Sequence, residues 1–509
     1  MEKIKKIFEK WYQHDWTFIA GFALLKIIIH VPFLTRYGYH HDELYFIACG
    51  NHPDCGYVDH PPLVPWIARL ATELFGTSLF GLRIFALLSG AAAIFITGIL
   101  VRRFSGNRLA QGLACLAMII TPVFLRNGNL FTIGSFELLF WILGFYILIK
   151  IIQKDKPKLW LWMGPIIGLG LLTKHSMFFF IFGLLIGLLA TRLRKYFKSP
   201  YLYASVGIAF LIFLPNILWQ IKHDWPTLHF IMNLNKNLMQ GISPIQFIAG
   251  QFLYLHPFNA VLWIAGLVYF FRKKTNPYRI FAWIWISVFL LLLITKSKIY
   301  YLAPAYPILF AGGSIAMENW INHKKKKWIS PAVIIILIVS GIALIPLSVP
   351  MLSIDKTEQY ADTITFGAFE NIYEITGDLR GMFGWEKRVQ EVAAVYHSLP
   401  EKEKEKTIIL AAGYGNAGAV DLLGKKFRLP EASSLSLSYW LWGLPDKPIE
   451  TVIGMGYSKV SLENAFKEVE LAAEIQLEHV NPGVNPFFIT ICRQPKDSLQ
   501  NIWLRNRPW

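Results

Sequence analysis

Repeated apolar runs of about 20 residues divide most of the chain, and this is the length at which a helix crosses a hydrocarbon core. With 54% hydrophobic and 16% charged residues, the chain is predicted to be an α-helical polytopic membrane protein of about 11 transmembrane helices. The predicted spans are 16–35, 79–101, 108–125, 132–150, 159–173, 176–191, 201–220, 244–271, 279–295, 301–320 and 329–350.

The connections between these spans differ in charge. One alternate set, which includes Met1–Lys10, holds 23 Lys and Arg residues, and the opposite set holds eight. The positive-inside rule then predicts a cytoplasmic N-terminus on an uncleaved first helix and an extracytoplasmic first loop. Because the net charge of +17 lies in these clusters, nucleic-acid binding is not expected.

The composition changes after Pro350. The charged stretch Trp385–Ser398 predicts a helix, and Thr407–Ala412, Thr451–Met455 and Phe487–Cys492 predict strands. We therefore predict two domains: a transmembrane domain at 1–350, with a first external loop at 36–78, and a small extracytoplasmic α/β domain at 351–509.

The first external loop contains an adjacent acidic pair, Asp42 and Glu43. A carboxylate beside a membrane can remove a proton from an attacking hydroxyl or amine. Neighbouring helical residues point about 100° apart, so Asp42 is predicted to act as the base and Glu43 to support it. The alternative is that both acids cap or solvate a short helix starting near His41.

The same loop continues with Asp59-His60-Pro61-Pro62, where two prolines hold the preceding side chains in place. His60 could donate to a phosphate or be an ordinary loop residue. No spacing here matches a known set of metal ligands, so no metal site is predicted, although the carboxylates leave a divalent cation open. Cys49 and Cys55 share the loop, either bridged or as two thiols.

Other polar residues lie at or within the spans. Charges at span ends often snorkel to the interface, but those on the less basic side could also form a cationic rim for a lipid phosphate, with tyrosines stacking on a sugar. Lys26, Arg83 and Glu137 fall inside spans, where Glu137 could pair with either cation or where these groups could contact substrate. The remaining candidate binding residues are Arg126, Lys174, His175, Lys296, Lys298, Tyr300 and Tyr301.

A glycine-containing segment, Ala411–Ala419, follows a predicted strand and precedes a predicted helix. Its glycines at 413, 415 and 418 lack the spacing of a dinucleotide-binding loop. A tight strand-to-helix turn is therefore favoured over a phosphate site.

Several motifs in order resemble the protein-mannosyltransferase-like branch of the bacterial GT-C glycosyltransferases, which includes relatives of the lipid A aminoarabinose transferase. The resemblance covers about residues 30–320. It depends on Tyr39-x-x-Asp42-Glu43, His60-Pro-Pro-Leu63, Leu172-Thr-Lys174 and Lys298-x-Tyr300-Tyr301-Leu-x-Pro304-x-Tyr306-Pro.

The resemblance implies a polyprenyl-phosphate sugar donor, inverting hexosyl or pentosyl transfer outside the cytoplasm, and a catalytic acid at Asp42 with Glu43. It also places the protein in a bacterial inner membrane. Members similar to the aminoarabinose transferase have Lys where this chain has His60 and Arg where it has Tyr45. These departures put the phosphate contacts and a lipid A substrate in question.

The leading hypothesis is thus an integral-membrane glycosyltransferase that transfers a sugar from a polyprenyl phosphate to an extracytoplasmic lipid, protein or envelope glycan. Its partners are this donor, the acceptor and membrane lipids. A polytopic transporter or lipid flippase is the alternative, although the repeated halves with broken helices that it predicts are not found in the sequence. A third hypothesis, a binding module on a membrane anchor, leaves the Asp42 loop unexplained.

Overall fold

The computed structural model describes residues 15–234, 242–325, 328–367 and 373–508. The basic segment Met1–Lys10, used above to orient the chain, lies outside these residues. The described chain is mostly helical, with one small sheet near the C-terminus.

The α-helices and strands run in the following order: α1 Asp15–His30, α2 His41–Asn51, α3 Leu63–Phe75, α4 Leu79–Arg103, α5 Arg108–Ile120, α6 Pro122–Arg126, α7 Ile133–Lys154, α8 Met163–Thr173, α9 Met177–Leu189, α10 Pro200–Lys222, α11 Pro226–Leu234, α12 Pro244–Tyr254, α13 Ala260–Phe271, α14 Arg279–Ile294, α15 Pro307–Lys324, α16 Ile329–Ser348, α17 Ile354–Thr365, α18 Tyr373–Arg380, α19 Trp385–Ser398, α20 Glu401–Lys404, β1 Thr407–Ala411, α21 Tyr414–Leu423, β2 Ala432–Ser433, α22 Ser438–Trp442, β3 Thr451–Met455, α23 Lys459–Glu463, β4 Phe466–Ile475, β5 Phe487–Pro495 and α24 Leu499–Arg505.

Six helices of the described residues are long and apolar enough to cross a membrane, or up to nine spans if each of three bent helix pairs counts as one. Their exposed side chains include large apolar residues such as Leu211 and Val339. Exposed aliphatic side chains on such helices are what a lipid environment requires, so the chain is a multi-pass membrane protein.

Each of the eleven predicted spans coincides with helix in the structure, but whether all eleven cross the membrane stays a prediction. The eighth span, 244–271, is not one straight helix. It consists of Pro244–Tyr254 and Pro257–Phe271, which are bent by 97° at a break before Pro257. A proline lacks the backbone donor that would continue the first helix, and this explains the break.

The chain divides into two compact units. The first, here the membrane unit, comprises the chain up to Leu34 with Arg83–Ile221 and Leu234–Val349. The second, here the loop–sheet unit, comprises Thr35–Leu82, Lys222–Asn233 and the chain from Pro350. The loop that the sequence predicts to be the first external one thus forms one compact unit with the C-terminal segment, a grouping that the sequence did not suggest.

The sheet of the loop–sheet unit has strand order β2-β1-β3-β5-β4. Strand β1 is parallel to β2 and β3, whereas β5 is antiparallel to β3 and β4. Side chains from this sheet and α23 bury a small core of Ile408, Val452, Leu462, Phe466 and Cys492. The predicted α/β character is confirmed, whereas strands β2 and β4 were not predicted.

Candidate active site

Helix α2 begins with a reciprocal cap that separates the roles of the two acids. His40 Nδ1 accepts a hydrogen bond from the Asp42 backbone N–H at 3.3 Å, and Glu43 Oε2 accepts one from the His40 backbone N–H at 2.9 Å. Burial lowers the pKa of His40, which keeps its ring neutral and able to accept. Glu43 is fully buried, whereas the side chain of Asp42 is 36% exposed. Asp42 is therefore the acid of the pair that a ligand can reach, and Glu43 performs the capping that the alternative hypothesis assigned to both.

The Asp42 carboxylate lies beside a tyrosine hydroxyl and an imidazole ring. The Tyr414 hydroxyl donates to Asp42 Oδ1 at 2.9 Å, and His41 Nε2 lies 3.5 Å from the same oxygen. Burial, followed by the Asp42 charge, raises the pKa of Tyr414 well above its ordinary value. The Tyr414 hydroxyl consequently remains protonated, and so remains a donor, throughout the physiological pH range.

A second carboxylate, Asp59, is held by Tyr45. The Tyr45 hydroxyl lies 3.0 Å from Asp59 Oδ1 and 2.8 Å from Ser438 Oγ, and the Ser438 backbone N–H donates back to that hydroxyl at 3.1 Å. His60 is buried, with Nε2 3.8 Å from Asp59 Oδ1. Burial raises the pKa of Asp59, and the charge of His60 opposes that shift. The loop thus presents two carboxylates with different surroundings.

Helix α21 lies against α2 through two glycines. A methyl group on Gly415 would come within 2.8 Å of His41 Cβ, and one on Gly418 would come within 2.9 Å of the Leu44 carbonyl. Gly413, with φ of 82°, makes the turn between β1 and α21. The tight strand-to-helix turn predicted for Ala411–Ala419 is therefore observed, and its other two glycines allow close helix packing.

The membrane unit contains its own polar cluster. Lys174 Nζ donates to Glu137 Oε2 at 2.7 Å, and Ser176 Oγ donates to the other oxygen of that carboxylate. Lys174 Nζ also lies 4.7 Å from the ring centroid of Tyr301 and 5.6 Å from that of Tyr300. The structure thus brings together three of the predicted binding residues. It pairs Glu137 with Lys174, whereas Lys26, one of the two partners suggested by the sequence, donates to the Phe124 carbonyl.

The remaining predicted binding residues of the membrane unit have separate surroundings. Arg83 is buried and donates to the Leu34 carbonyl at 2.6 Å, and His175 Nε2 lies 3.4 Å from Asn216 Oδ1. Lys298 Nζ lies 6.0 Å from the Tyr300 ring centroid. Lys296 is exposed, and Arg126 ends helix α6. In the loop–sheet unit, Cys49 and Cys55 are both free thiols.

One group among the described residues has the composition of a metal site. The ligand atoms of His40, His41 and Asp42 all lie within 4.8 Å of one another. Imidazole nitrogen and carboxylate oxygen together suit a first-row divalent ion such as Zn²⁺. The trio lies at the N-terminus of α2, where the helix dipole opposes a cation, and His40 Nδ1 already accepts the cap hydrogen bond.

Three residues at this site were not predicted from the sequence: Tyr414, Ser438 and, as a contact of Asp59, Tyr45. Tyr45 was noted only as a departure from the family pattern. Tyr414 stands inside the glycine segment, so that segment was itself a usable signal. Nothing in the sequence near Ser438 marks it as a neighbour of the first loop.

Comparisons with known proteins support the GT-C resemblance. The family model described as dolichyl-phosphate-mannose-protein mannosyltransferase matches residues 59–219. A lipid A galacturonosyltransferase, RgtD, from Rhizobium johnstonii is 27% identical over 286 residues, which are 54% of this chain and 58% of the relative. An uncharacterized protein of Aquifex aeolicus is 25% identical over 280 residues, 53% of this chain and 54% of the relative. The chain therefore spans little more than half the length of these relatives.

The fold is shared with a protein of known structure. The crystal structure of ArnT from Cupriavidus metallidurans in the apo state matches with a TM-score of 0.60 at 14% identity, covering 92% of this chain and 98% of that one. The structure of the same protein bound to undecaprenyl phosphate matches with a TM-score of 0.59 at 14% identity, covering 92% and 97%. The predicted GT-C fold is confirmed, and about half of the chain is similar in sequence to a lipid A galacturonosyltransferase.

Proposed function

We propose that this protein is an integral-membrane glycosyltransferase that moves a sugar from a polyprenyl phosphate to an acceptor on the extracytoplasmic side of a bacterial inner membrane. The observation that carries the proposal is the partly exposed Asp42 carboxylate, which accepts a hydrogen bond from the Tyr414 hydroxyl, in a chain with the fold of ArnT. ArnT binds undecaprenyl phosphate, and RgtD is named as a lipid A galacturonosyltransferase.

In the proposed reaction the acceptor hydroxyl attacks the anomeric carbon of the donor sugar. The bond from that carbon to the phosphate oxygen breaks, its electron pair leaves with the polyprenyl phosphate, and the hydroxyl proton passes to Asp42. A single displacement of this kind inverts the anomeric configuration. General-base assistance by one carboxylate contributes about 10²- to 10⁴-fold in rate.

The departing phosphate needs cationic or hydrogen-bonding partners, because charge accumulates on its oxygens. In the loop–sheet unit the candidates are His60 and its neighbour Asp59. In the membrane unit they are Lys174, Tyr300 and Tyr301. Further candidates from the sequence are Arg83, Arg126, His175, Lys296 and Lys298. Lys174 already neutralises Glu137, so it would serve the phosphate as part of an ion pair.

The first substrates to test follow from the relatives. Undecaprenyl-phosphate-linked galacturonic acid is the first donor to try, with lipid A as the first acceptor, followed by other undecaprenyl-phosphate hexoses and pentoses. Protein and envelope-glycan acceptors come next. The anomeric configuration of the product, determined by NMR, tests inversion.

The decisive experiment compares purified wild type, Asp42→Asn and Asp54→Asn in release of undecaprenyl phosphate from the donor panel. Asp54 is a matched control, because it is a carboxylate of the same loop whose Oδ1 accepts only a local hydrogen bond from the Cys55 backbone N–H among the bonds described. We expect turnover to fall at least 100-fold in Asp42→Asn and to change less than twofold in Asp54→Asn. Equal turnover in all three proteins would contradict the proposed role of Asp42, and an absence of turnover with every lipid-linked sugar would contradict the proposed donor class.

A further inference from the structure

The C-terminal segment lies directly on the candidate catalytic loop within one compact unit. Helix α21 packs along α2, Trp385 Nε1 donates to the Tyr39 carbonyl at 2.8 Å, and the rings of Trp442 and His52 are stacked 4.2 Å apart. These contacts bury backbone and aromatic groups of the loop against the segment that follows the last membrane helix. The loop therefore takes its conformation from contacts with residues far along the chain.

We propose that Tyr414 is a positioning residue for Asp42, so that the C-terminal α/β segment is part of the catalytic machinery. This inference rests on the proposed function. The Tyr414 hydroxyl fixes Asp42 Oδ1 at 2.9 Å and leaves Oδ2 to receive the acceptor proton. Because Asp42 is 36% exposed and stands in the first turn of α2, its carboxylate would otherwise rotate among several orientations.

The position of Tyr414 is itself determined by packing. Its ring centroid lies 4.9 Å from that of Tyr45 and 5.8 Å from that of His41. Gly415 and Gly418, on the following turn, hold α21 so close to α2 that neither tolerates a methyl group without movement. A donor held on a rigid helix by such contacts restrains its acceptor at little entropic cost during the reaction.

Ser438 positions the second carboxylate, Asp59, indirectly through the Tyr45 hydroxyl. Its hydroxyl accepts from the Val58 backbone N–H at 3.0 Å, and both its Oγ and its backbone N–H contact the Tyr45 hydroxyl, which in turn contacts Asp59. Residues of the α/β segment thus reach both carboxylates of the first loop: Asp42 directly through Tyr414, and Asp59 through Tyr45. Two independent contacts of this kind indicate that the segment orders the site.

The first test uses Tyr414→Phe, which removes the hydroxyl and keeps the ring. We expect kcat for undecaprenyl phosphate release to fall about 10- to 100-fold, the effect of losing one hydrogen bond to a charged group, with the donor KM changed less than twofold. In an Asp42→Asn background the same substitution should have no further effect, because the two side chains act as one unit.

Tyr439→Phe is the matched control. Its hydroxyl also donates to a largely buried aspartate of the same unit, Asp421, at 2.6 Å. It should lose less than twofold in kcat. If Tyr414→Phe keeps wild-type kcat while Asp42→Asn is inactive, the inference fails and the proposed function stands. If Asp42→Asn is fully active, the proposed role of Asp42 fails together with the inference, and if the wild type releases no undecaprenyl phosphate from any lipid-linked sugar, the proposed function itself fails.

A second test needs no sugar donor. Asp42 in the purified protein is labelled with a water-soluble carbodiimide and an amine, which convert an accessible carboxyl group to an amide, and the labelled peptide is quantified by mass spectrometry. Loss of the Tyr414 hydroxyl frees Asp42 Oδ1 from its hydrogen bond, so Asp42 should label several-fold faster in Tyr414→Phe and at the wild-type rate in Tyr439→Phe. Equal labelling of Asp42 in all three proteins would overturn the proposed hydrogen bond.

Discussion

The close contact between α2 and α21 predicts that a single methyl group at Gly418 disturbs the candidate site without touching any polar side chain. In Gly418→Ala the new Cβ would lie 2.9 Å from the Leu44 carbonyl oxygen, whereas ordinary van der Waals contact begins at 3.4 Å. The two helices must therefore separate by about 0.5 Å, the difference between these distances. Applied to the 2.9 Å bond from Tyr414 to Asp42, that movement lengthens it to about 3.4 Å, close to the limit of a hydrogen bond.

The change in the free energy of unfolding caused by Gly418→Ala has two opposing parts. Replacing Gly by Ala in a helix interior stabilises the helix by about 1 kcal/mol, whereas overpacking against α2 destabilises the folded protein by about 1–3 kcal/mol. The net expectation is a loss of about 0–2 kcal/mol. Gly418→Val adds two further methyl groups and a poorer helix propensity, so we expect it to lose about 3 kcal/mol.

The assay measures thermal unfolding in detergent and kcat for both variants, with Gly207→Ala as the control. Gly207 lies in α10, and apart from its chain neighbours and the backbone of that helix, no heavy atom of the described residues comes within 4 Å of the position that an alanine Cβ would take there. Alanine at this position should therefore be neutral or stabilising. We expect kcat to fall in the order wild type, Gly418→Ala, Gly418→Val, with most of this loss absent when the same substitutions are made in a Tyr414→Phe background. Wild-type kcat in Gly418→Val would refute the reasoning that this packing positions Tyr414.

Three further predictions concern charged groups that are wholly or largely buried. Burial raises the pKa of Asp421 from 3.8 to about 6, so the unfolded state binds fewer protons than the folded state between these values. The free energy of unfolding should therefore fall by about 2 kcal/mol as pH rises from 4 to 6 and should level off by about pH 7, which pH-dependent thermal unfolding measures. Lys174→Met leaves Glu137 without its ion-pair partner and should cost about 3–5 kcal/mol of stability, measured by thermal unfolding in detergent. Glu358→Ala removes a carboxylate that accepts from Arg380 Nε at 2.7 Å and from its Nη2 at 2.8 Å, and should cost a similar amount, measured in the same way.

Each of these has a control. The fall between pH 4 and 6 should be absent in Asp421→Asn, and a persisting fall would assign it to other groups. Adding Glu137→Gln to Lys174→Met should recover part of the lost stability, because no uncompensated charge then remains. Glu401→Ala, which removes an 89% exposed carboxylate paired with Lys404, should leave the unfolding temperature unchanged, and a loss equal to that of Glu358→Ala would contradict the role of burial.

The sequence by itself determined where the helices lie. Apolar runs and their basic boundaries predicted spans that all coincide with helix, and Trp385–Ser398 and Thr451–Met455 were predicted with their observed bounds. These features depend on neighbours along the chain: hydrophobic length for a span, and alternation or propensity for a short element. The turn at Gly413 could be predicted for the same reason, since a strand followed by a glycine and then a helix is a local pattern.

The tertiary structure decided which residues form the site. Asp42 and Tyr414 are 372 positions apart, and Tyr45 and Ser438 are 393 apart, so no local pattern could indicate these contacts. The different environments of Asp42 and Glu43 likewise depend on what packs against α2. Asp42 is partly exposed, whereas Glu43 is buried in the helix cap. Composition and periodicity report the preferences of one segment, whereas a site assembled from distant segments is determined by the packing that brings them together.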